Sequence, residues 1–314
     1  MDQHHRPVML AEVVEVLAPR PGGLYVDGTL GAGGHAASVL TASEPGGRLL
    51  GLDRDPRALE LAGRRLKKFS GRIKLVQATF DNMERELKTL GEGLADGVLL
   101  DLGLSSMQLD EDGRGFSFRR DEPLDMRMGA EGPSAAELVA TLDEAGLARA
   151  FQRLGEEPLA KRIARTIVKA RAEEPIATTG RLAAVVEQAM PMAERRKRRL
   201  HPATQVFQAL RLAVNDELGM LERFLGQAPR LMKPGGRLAI LSYHSLEDRR
   251  VKKAMAAWAN PCTCPPDLPM CACGRKPLFK QVGKLGRPGE EEVAANPRAR
   301  SARLRAAQRT EAVA

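Results

Sequence analysis

The sequence predicts a Rossmann-like α/β fold, a doubly wound parallel sheet, with an inserted all-helical domain. The first observation is the segment Leu24 to His35, where a short apolar run ends in an acid and opens into closely spaced glycines. The second is the alternation of short apolar runs with helical patterns on both sides of a long section that carries helical patterns alone. Strands that alternate with helices are typical of a parallel sheet covered on both faces.

The glycine-rich loop predicts a binding site for a nucleotide-type ligand. Gly31 to Ala36 fits the pattern G-x-G-x-x-G/A, and Asp53 follows at about the 20-residue spacing of an acid that binds a ribose. Asp27 would repel a pyrophosphate but suits the ammonium of a methionine moiety, which favours S-adenosylmethionine over a nicotinamide cofactor. The alternative is a glycine-rich turn that binds no ligand.

Successive predicted strands bring polar or aromatic residues to one edge of the sheet. The strands at 24–27, 48–53, 73–76 and 95–101 end at or lead to Asp27, Asp53, Phe80 and Asp101. A fifth strand at 237–242 is followed by Tyr243 and His244. Because ligands of doubly wound sheets bind at the carboxyl ends of the strands, we expect these side chains to face one crevice.

The predicted domains follow the change of pattern along the chain. Helices precede the first strand at 7–17 and begin again at Ala36 and Pro56, and a capping box at Ser134 and Glu137 opens the helical section. The C-terminal residues are rich in Arg, Pro, Gly and Ala, so we expect them to be largely extended or mobile. We predict the first part of the α/β domain at 1–109, the helical insertion at 110–212, the second part at 213–285 and a basic tail at 286–314.

The charge of the chain favours a polyanionic partner. The net charge is +9, although aromatic residues make up only 4% and leave few rings for base stacking. Basic groups cluster at 161–169, 195–199 and 298–305, either as phosphate-binding surfaces or as solvated faces. The chain carries neither an apolar run near the roughly 18 residues of a membrane span nor the apolar centre of a signal peptide. We therefore expect a soluble cytoplasmic protein without a membrane partner.

The four cysteines lie in two pairs, Cys262-Thr-Cys264 and Cys271-Ala-Cys273. Four thiolates are enough for a tetrahedral zinc ion, but C-x-C is tighter than the usual C-x₂₋₄-C spacing and the residues between the pairs are rich in proline. The alternative is a reduced loop that becomes ordered on RNA or on a neighbouring protein. The sequence therefore leads us to assign no metal site.

Motifs spread over nearly the full length resemble the RsmH (MraW) family. They include VDGTLGAGGHA, DLGLSSMQLD, HPATQVFQALRLAVNDEL, GGRLAILSYHSLEDRRVK and NPRARSARLR. That family consists of bacterial methyltransferases that use S-adenosylmethionine to methylate N4 of a cytidine in the decoding centre, at the P site, of 16S ribosomal RNA. The resemblance implies a class I S-adenosylmethionine-dependent methyltransferase fold. It also implies a substrate within the small subunit or a late assembly intermediate, recognised by the helical insertion. The implied cofactor contacts are Gly33, Gly34, His35, Asp53, Phe80, Asp101 and Gln108.

The residue types suggest which residues bind the cofactor and which take part in methyl transfer. Asp53 can accept bonds from both ribose hydroxyls, and Phe80 can lie against the adenine. Methyl transfer to cytosine N4 needs an acceptor that localises the amine lone pair, and Asp101 and Ser105 are the candidates. Asp101 instead serves only as a cofactor ligand in the alternative interpretation.

The candidate RNA contacts combine one aromatic ring with basic groups. Tyr243 can stack on a base that is taken out of its helix. Two other functions stay open: an NAD(P) dehydrogenase, favoured by the glycine pattern alone, and a ribosome-assembly factor without catalytic activity. The candidate RNA-binding residues are Tyr243, His244, Arg195, Arg196, Arg198, Arg199, Arg298, Arg300 and Arg303.

Overall fold

The computed structural model describes residues 7–104, 112–129, 131–265, 272–283 and 286–313. Within these residues seven strands form one sheet in the order β3-β2-β1-β4-β5-β7-β6. Strands β1 to β5 are parallel, and β7 runs antiparallel to β5 and β6. The strands are β1 (Leu24–Asp27), β2 (Arg48–Asp53), β3 (Ile73–Gln77), β4 (Ala95–Asp101), β5 (Met232–Ser242), β6 (Phe279–Gln281) and β7 (Arg303–Arg309).

The chain divides into two compact units, one formed by Met1–Gly103 with Leu218–Ala314 and the other by Leu104–Glu217. None of the described helices has the length and apolar character that a membrane span requires. The helices in chain order are α1 (Leu10–Leu17), α2 (Gly34–Ala42), α3 (Pro56–Arg65), α4 (Met83–Thr89), α5 (Ala135–Thr141), α6 (Glu144–Gly155), α7 (Ala160–Glu173), α8 (Thr179–Ala189), α9 (Met192–Lys197), α10 (Thr204–Asn215), α11 (Glu217–Leu231), α12 (Ser245–Ala259) and α13 (Glu290–Ala295).

Both faces of the sheet are covered, which confirms the predicted Rossmann-like fold. Val26 belongs to the same apolar core as Phe224 of α11, whereas the neighbouring Tyr25 belongs to a second core with Val13 of α1. A parallel strand buried on both faces needs a nearly continuous apolar run, which is why β4 reads ADGVLLD. Each fully buried large side chain contributes about 1.5–3 kcal/mol. The sheet therefore provides a rigid base for the polar residues at its edge.

The unit Leu104–Glu217 has a helical core of its own, as its pattern predicts. The predicted capping box is present at the start of α5, since the Ser134 side chain accepts a hydrogen bond from the Glu137 amide and the Glu137 carboxylate accepts one from the Ser134 amide. At the end of α10, the buried Asn215 amide accepts from the Met128 N–H at 2.9 Å and donates to the Met126 carbonyl at 2.8 Å. Met126 has a φ of 63°, so these bonds hold a left-handed residue in place.

The C-terminal segment differs from the expected extended or mobile tail. Residues 303–309 form β7, which pairs with β5 on one side and β6 on the other. The segment has few large apolar residues, but a strand inside a covered sheet can be buried largely through small ones, and Leu304, Ala306 and Ala307 are 3%, 6% and 2% exposed. Arg303 and Arg305 instead pair with Asp248 of α12. The tail is therefore part of the α/β unit.

A buried carboxylate, Asp96, joins three segments at the amino ends of the strands. It accepts hydrogen bonds from the Leu24 N–H at 2.9 Å, from Lys233 Nζ at 2.7 Å and from the Arg20 guanidinium. Burial raises the pKa of Asp96, but these three donors outweigh the burial and hold the pKa below its usual value. The charge of Asp96 therefore stabilises the fold.

We predict that Asp96→Asn lowers the free energy of unfolding at pH 7 by about 1–3 kcal/mol, because the amide loses two charge-assisted bonds. A carboxyl with a lowered pKa stabilises the fold above the unfolded-state pKa and loses this effect as pH falls through the folded-state value. The difference between wild type and variant should therefore shrink below about pH 4. Urea denaturation at pH 7 and pH 3 measures this difference in the free energy of unfolding. Glu60→Gln, in an exposed pair with Arg64, is the control and should change stability by less than about 0.5 kcal/mol.

Candidate active site

The glycine-rich loop joins the carboxyl end of β1 to the start of α2. Gly31 and Gly33 have φ angles of 51° and 75°, in the left-handed region that favours glycine. Gly33 is the N-cap residue of α2 and makes no side-chain cap, so the first amides of the helix face the loop. The start of α2 therefore presents backbone N–H groups at the carboxyl edge of the sheet.

Asp53, at the end of β2, holds this loop. One carboxylate oxygen accepts the Gly31 N–H at 2.8 Å and the other accepts the Asp55 N–H at 2.9 Å. Burial raises the pKa of Asp53 above its usual value even though both amide bonds lower it. A carboxylate has about four acceptor positions, so both oxygens keep the capacity to accept a ligand hydroxyl.

Three side chains from strand ends, Asp27, Asp101 and Tyr243, come together beside the loop with His35 of α2. The Tyr243 hydroxyl donates to Asp101 Oδ1 at 2.7 Å, and His35 Nε2 lies 3.5 Å from Asp101 Oδ2. Thr29 connects the two acids, because its N–H donates to Asp27 Oδ1 at 3.1 Å and its Oγ1 accepts the Asp101 N–H at 2.6 Å. The sequence places the two acids, the histidine and the tyrosine at this edge, and the structure brings them into contact range.

Burial shifts the protonation of this cluster. Removal from water raises the pKa of Asp27 to about 7, and the nearby His35 lowers it only in part. Burial lowers the pKa of His35, but Asp101 and Asp27 outweigh the burial, so the pKa of the imidazole is raised. Neither ring nitrogen of His35, which is 6% exposed, has a hydrogen-bond partner among the described residues. An imidazole that approaches Asp101 to 3.5 Å without a hydrogen bond and lies beside the buried Asp27 is typical of a ligand site.

Tyr243 is fixed by both its ring and its hydroxyl. A Cβ built on Gly103, whose φ is 98°, would lie 3.3 Å from Tyr243 Cδ2, so the ring rests against the backbone that follows β4. Burial, followed by the charge of Asp101, raises the pKa of the Tyr243 phenol, which therefore stays neutral and donates to Asp101. The structure thus assigns the hydroxyl a partner that the sequence does not predict.

Glu247 and Thr29 belong to the site, and the sequence reasoning missed both. Glu247 Oε2 accepts the N–H groups of Tyr243 at 2.9 Å and of His244 at 3.3 Å, which fixes the turn after β5. The signal for Glu247 is its position three residues after the N-cap His244, the spacing of a capping box. Thr29 carries no comparable signal, because a threonine in a glycine-rich loop is common.

Phe80 lies at the carboxyl end of β3, as predicted, but it is 8% exposed and forms part of the apolar core. Its ring meets that of Phe224 edge to face, with centroids 6.0 Å apart. Ser105 and Gln108 lie outside the described residues, as does Cys271. The roles of Ser105 and Gln108 in the site stay predictions.

The basic residues predicted to bind RNA fall into two groups. Arg198 pairs with both oxygens of the buried Glu157, Arg303 pairs with Asp248, and Arg195 donates to the backbone carbonyls of Met190 and Glu187. In these three residues the guanidinium group is already paired with an acid or a backbone carbonyl of the protein itself. The exposed members are Arg196, Arg199, Arg298 and Arg300.

The chain matches the MraW methylase family over residues 2–310. It is 54% identical over 305 residues to the Ribosomal RNA small subunit methyltransferase H of Symbiobacterium thermophilum, covering 96% of each chain. The protein of the same name from Geotalea uraniireducens is 53% identical over 310 residues, covering 98% of this chain and 99% of that one. The relative from Geobacter sp. is 54% identical, covering 97% and 98%. This similarity over nearly the full length shows that the chain belongs to the MraW methylase family.

Proposed function

We propose that the chain transfers a methyl group to N4 of a cytidine in the decoding centre, at the P site, of 16S ribosomal RNA in the small ribosomal subunit. Family membership makes the chain a methyltransferase and decides against a dehydrogenase. The observation that carries the proposal is the carboxylate of Asp101, oriented by the Tyr243 hydroxyl at the carboxyl end of β4. The names of the relatives support ribosomal RNA of the small subunit as the substrate.

The cofactor is S-adenosylmethionine, and the residues at the strand ends fit it. Its ammonium and sulfonium suit a site with the buried Asp27 and the partly buried Asp53 and Asp101, and a polar ligand would supply hydrogen bonds to the His35 ring nitrogens, which make none among the described residues. When bound, the cofactor supplies an electrophilic methyl group. In our proposal Asp53 holds the ribose, Gly33, Gly34 and His35 contact the methionyl part with Asp27, and Phe80 and Gln108 contact the remainder.

Asp101 is the proposed acceptor for the substrate amine. The Tyr243 hydroxyl occupies Oδ1, whereas Oδ2, which His35 Nε2 approaches only to 3.5 Å, can accept an N4 proton. This bond localises the amine lone pair, and the carboxylate removes the proton that the amine must lose when it is methylated. Thr29 and Tyr243 position Asp101 from two sides, so little reorganisation is needed. Ser105 stays the second candidate for contact with the amine.

The exposed arginines are the proposed phosphate contacts. Arg196 and Arg199 in the helical unit and Arg298 and Arg300 near the C-terminus carry exposed side chains. Charged groups that neutralise phosphates release counterions, so binding should weaken steeply with salt. The helical insertion is the proposed recognition unit for the RNA, and Tyr243 and His244 stay candidates for contact with the target base.

The direct test of the proposed function is to map the product. Small ribosomal subunits that lack the native methylation are incubated with the full chain and S-adenosylmethionine labelled in its methyl group. We expect the label on N4 of one decoding-centre cytidine, identified by mass spectrometry of nuclease fragments. Label at another nucleotide or in protein would contradict the assigned substrate, and absence of label on correctly prepared subunits would favour an assembly factor without activity.

Asp101→Asn separates catalysis from cofactor binding. The amide keeps the size but loses the charge, so turnover at saturating cofactor should fall about 100-fold. Tyr243→Phe removes one hydrogen bond to Asp101 and should lower turnover about 3- to 10-fold. Calorimetry with S-adenosylhomocysteine provides the control, because both variants should still bind it. Recovery of the wild-type rate at saturating cofactor would leave Asp101 as a cofactor ligand alone.

Asp27→Asn tests how much stability the fold loses by burying the ionised carboxyl group of Asp27. A carboxyl whose folded pKa is raised to about 7 favours folding below its unfolded pKa and loses that contribution as pH rises through about 7. The cofactor-free variant should therefore be more stable than wild type at pH 8, by about 2–4 kcal/mol, and the gain should largely vanish near pH 4. It should also bind S-adenosylmethionine more weakly. Scanning calorimetry and titration calorimetry at both pH values check this, and an unchanged stability at pH 8 would show that Asp27 carries no such strain.

A further inference from the structure

The loop between α12 and β6 is closed at its base by well-packed residues. The Leu278 N–H donates to the Trp258 carbonyl at 2.8 Å, and the rings of Trp258 and Phe279 lie 4.8 Å apart. One described arm of the loop, up to residue 265, carries Cys262 and Cys264, and the other, from residue 272, carries Cys273. The base therefore brings together cysteines that are far apart in the loop.

The three sulfur atoms have the spacing of a metal site. All three lie within 4.8 Å of one another, and Cys262 Sγ and Cys273 Sγ are 3.8 Å apart. Zinc–sulfur bonds of about 2.3 Å in tetrahedral geometry place neighbouring sulfurs about 3.8 Å apart. The C-x-C spacing, which argued against a metal at the level of sequence, is no obstacle here because the third sulfur comes from the opposite arm.

The surrounding backbone suits thiolates. The Ala272 N–H donates to Cys264 Sγ at 3.3 Å, and amide bonds of this kind stabilise a negatively charged sulfur ligand. Gly274 has a φ of 63°, which turns the chain directly after Cys273.

We propose that Cys262, Cys264 and Cys273 bind one zinc ion as thiolates. Soft sulfur ligands select zinc over calcium or magnesium, and binding releases the thiol protons to solvent. The loop follows the far end of the 15-residue α12, whereas Tyr243 and His244 precede its start, about 22 Å away along the helix axis. The ion is therefore a structural clip for the loop and takes no part in methyl transfer.

The test uses the full chain, purified with a reductant and without chelator. We expect about one zinc ion per chain by elemental analysis. Cobalt(II) titrated into the metal-free chain should give the sulfur-to-cobalt charge-transfer band and the intense visible bands of a tetrahedral site. Cys262→Ser and Cys273→Ser should each weaken metal binding at least about 10-fold, whereas the control Thr263→Ser, placed between two ligands, should bind as wild type does.

Two further measurements keep the proposal open to refutation if the serine variants do not fold. Zinc should protect the wild-type thiols from a thiol reagent until a chelator is added, and Cys273→His, which keeps a zinc ligand, should retain the metal with a weaker charge-transfer band. A reduced, folded wild-type chain that binds less than about 0.1 equivalent of added zinc would overturn the site, as would an octahedral cobalt spectrum. Ordering of the loop by RNA in the absence of metal would support the alternative of a reduced loop. None of these measurements involves methyl transfer.

Discussion

The removal of carboxyl groups from water at the carboxyl ends of β1, β2 and β4, full for Asp27 and partial for Asp53 and Asp101, is the constraint on which the site depends. Carboxylates lose hydration when a sheet is covered on both faces, and an unpaired buried charge is costly. The chain meets this cost with local donors: Thr29 for Asp27, the Gly31 amide for Asp53, and the Tyr243 hydroxyl for Asp101. These donors do not fully offset the free-energy cost of burying the carboxylates, because the pKa of Asp27 stays raised. The part of the desolvation cost that remains favours the binding of a cationic ligand beside these carboxylates.

Much of the sheet could be predicted from the sequence, because parallel strands buried on both faces need continuous apolar runs, and such runs place their terminal acids at one edge. The contacts between the side chains at this edge could not be predicted from the sequence. The bond from Tyr243 to Asp101 joins residues far apart in the chain, and its length depends on how β4 and β5 pair. Asp53 was predicted as a ligand residue, yet the structure adds a second task for it, since it fixes the glycine loop.

The basic residues show a related limit. Composition and clustering identify arginines but do not separate those that face solvent from those that neutralise an acid of the fold. Arg198 sits in a cluster of basic residues, but Glu157, 41 positions earlier in the chain, holds it. Its neighbours Arg196 and Arg199 stay exposed. Only the position of the acids in the folded unit distinguishes the two groups, so a charge map drawn from sequence overstates the surface that is available to phosphates.

The position of β7 has a consequence for how the chain matures during synthesis. The strand β7 follows β5 and β6 in the chain but lies between them in the sheet, so their pairing is incomplete until residues 303–309 have left the ribosome. Before then the edge of β5 has unpaired backbone groups, which invite pairing with other chains. A chain that stops before residue 303 would therefore keep Asp27, Asp53, Asp101 and Tyr243 but expose an open edge of the sheet. Such a chain is a natural target for chaperones and proteases.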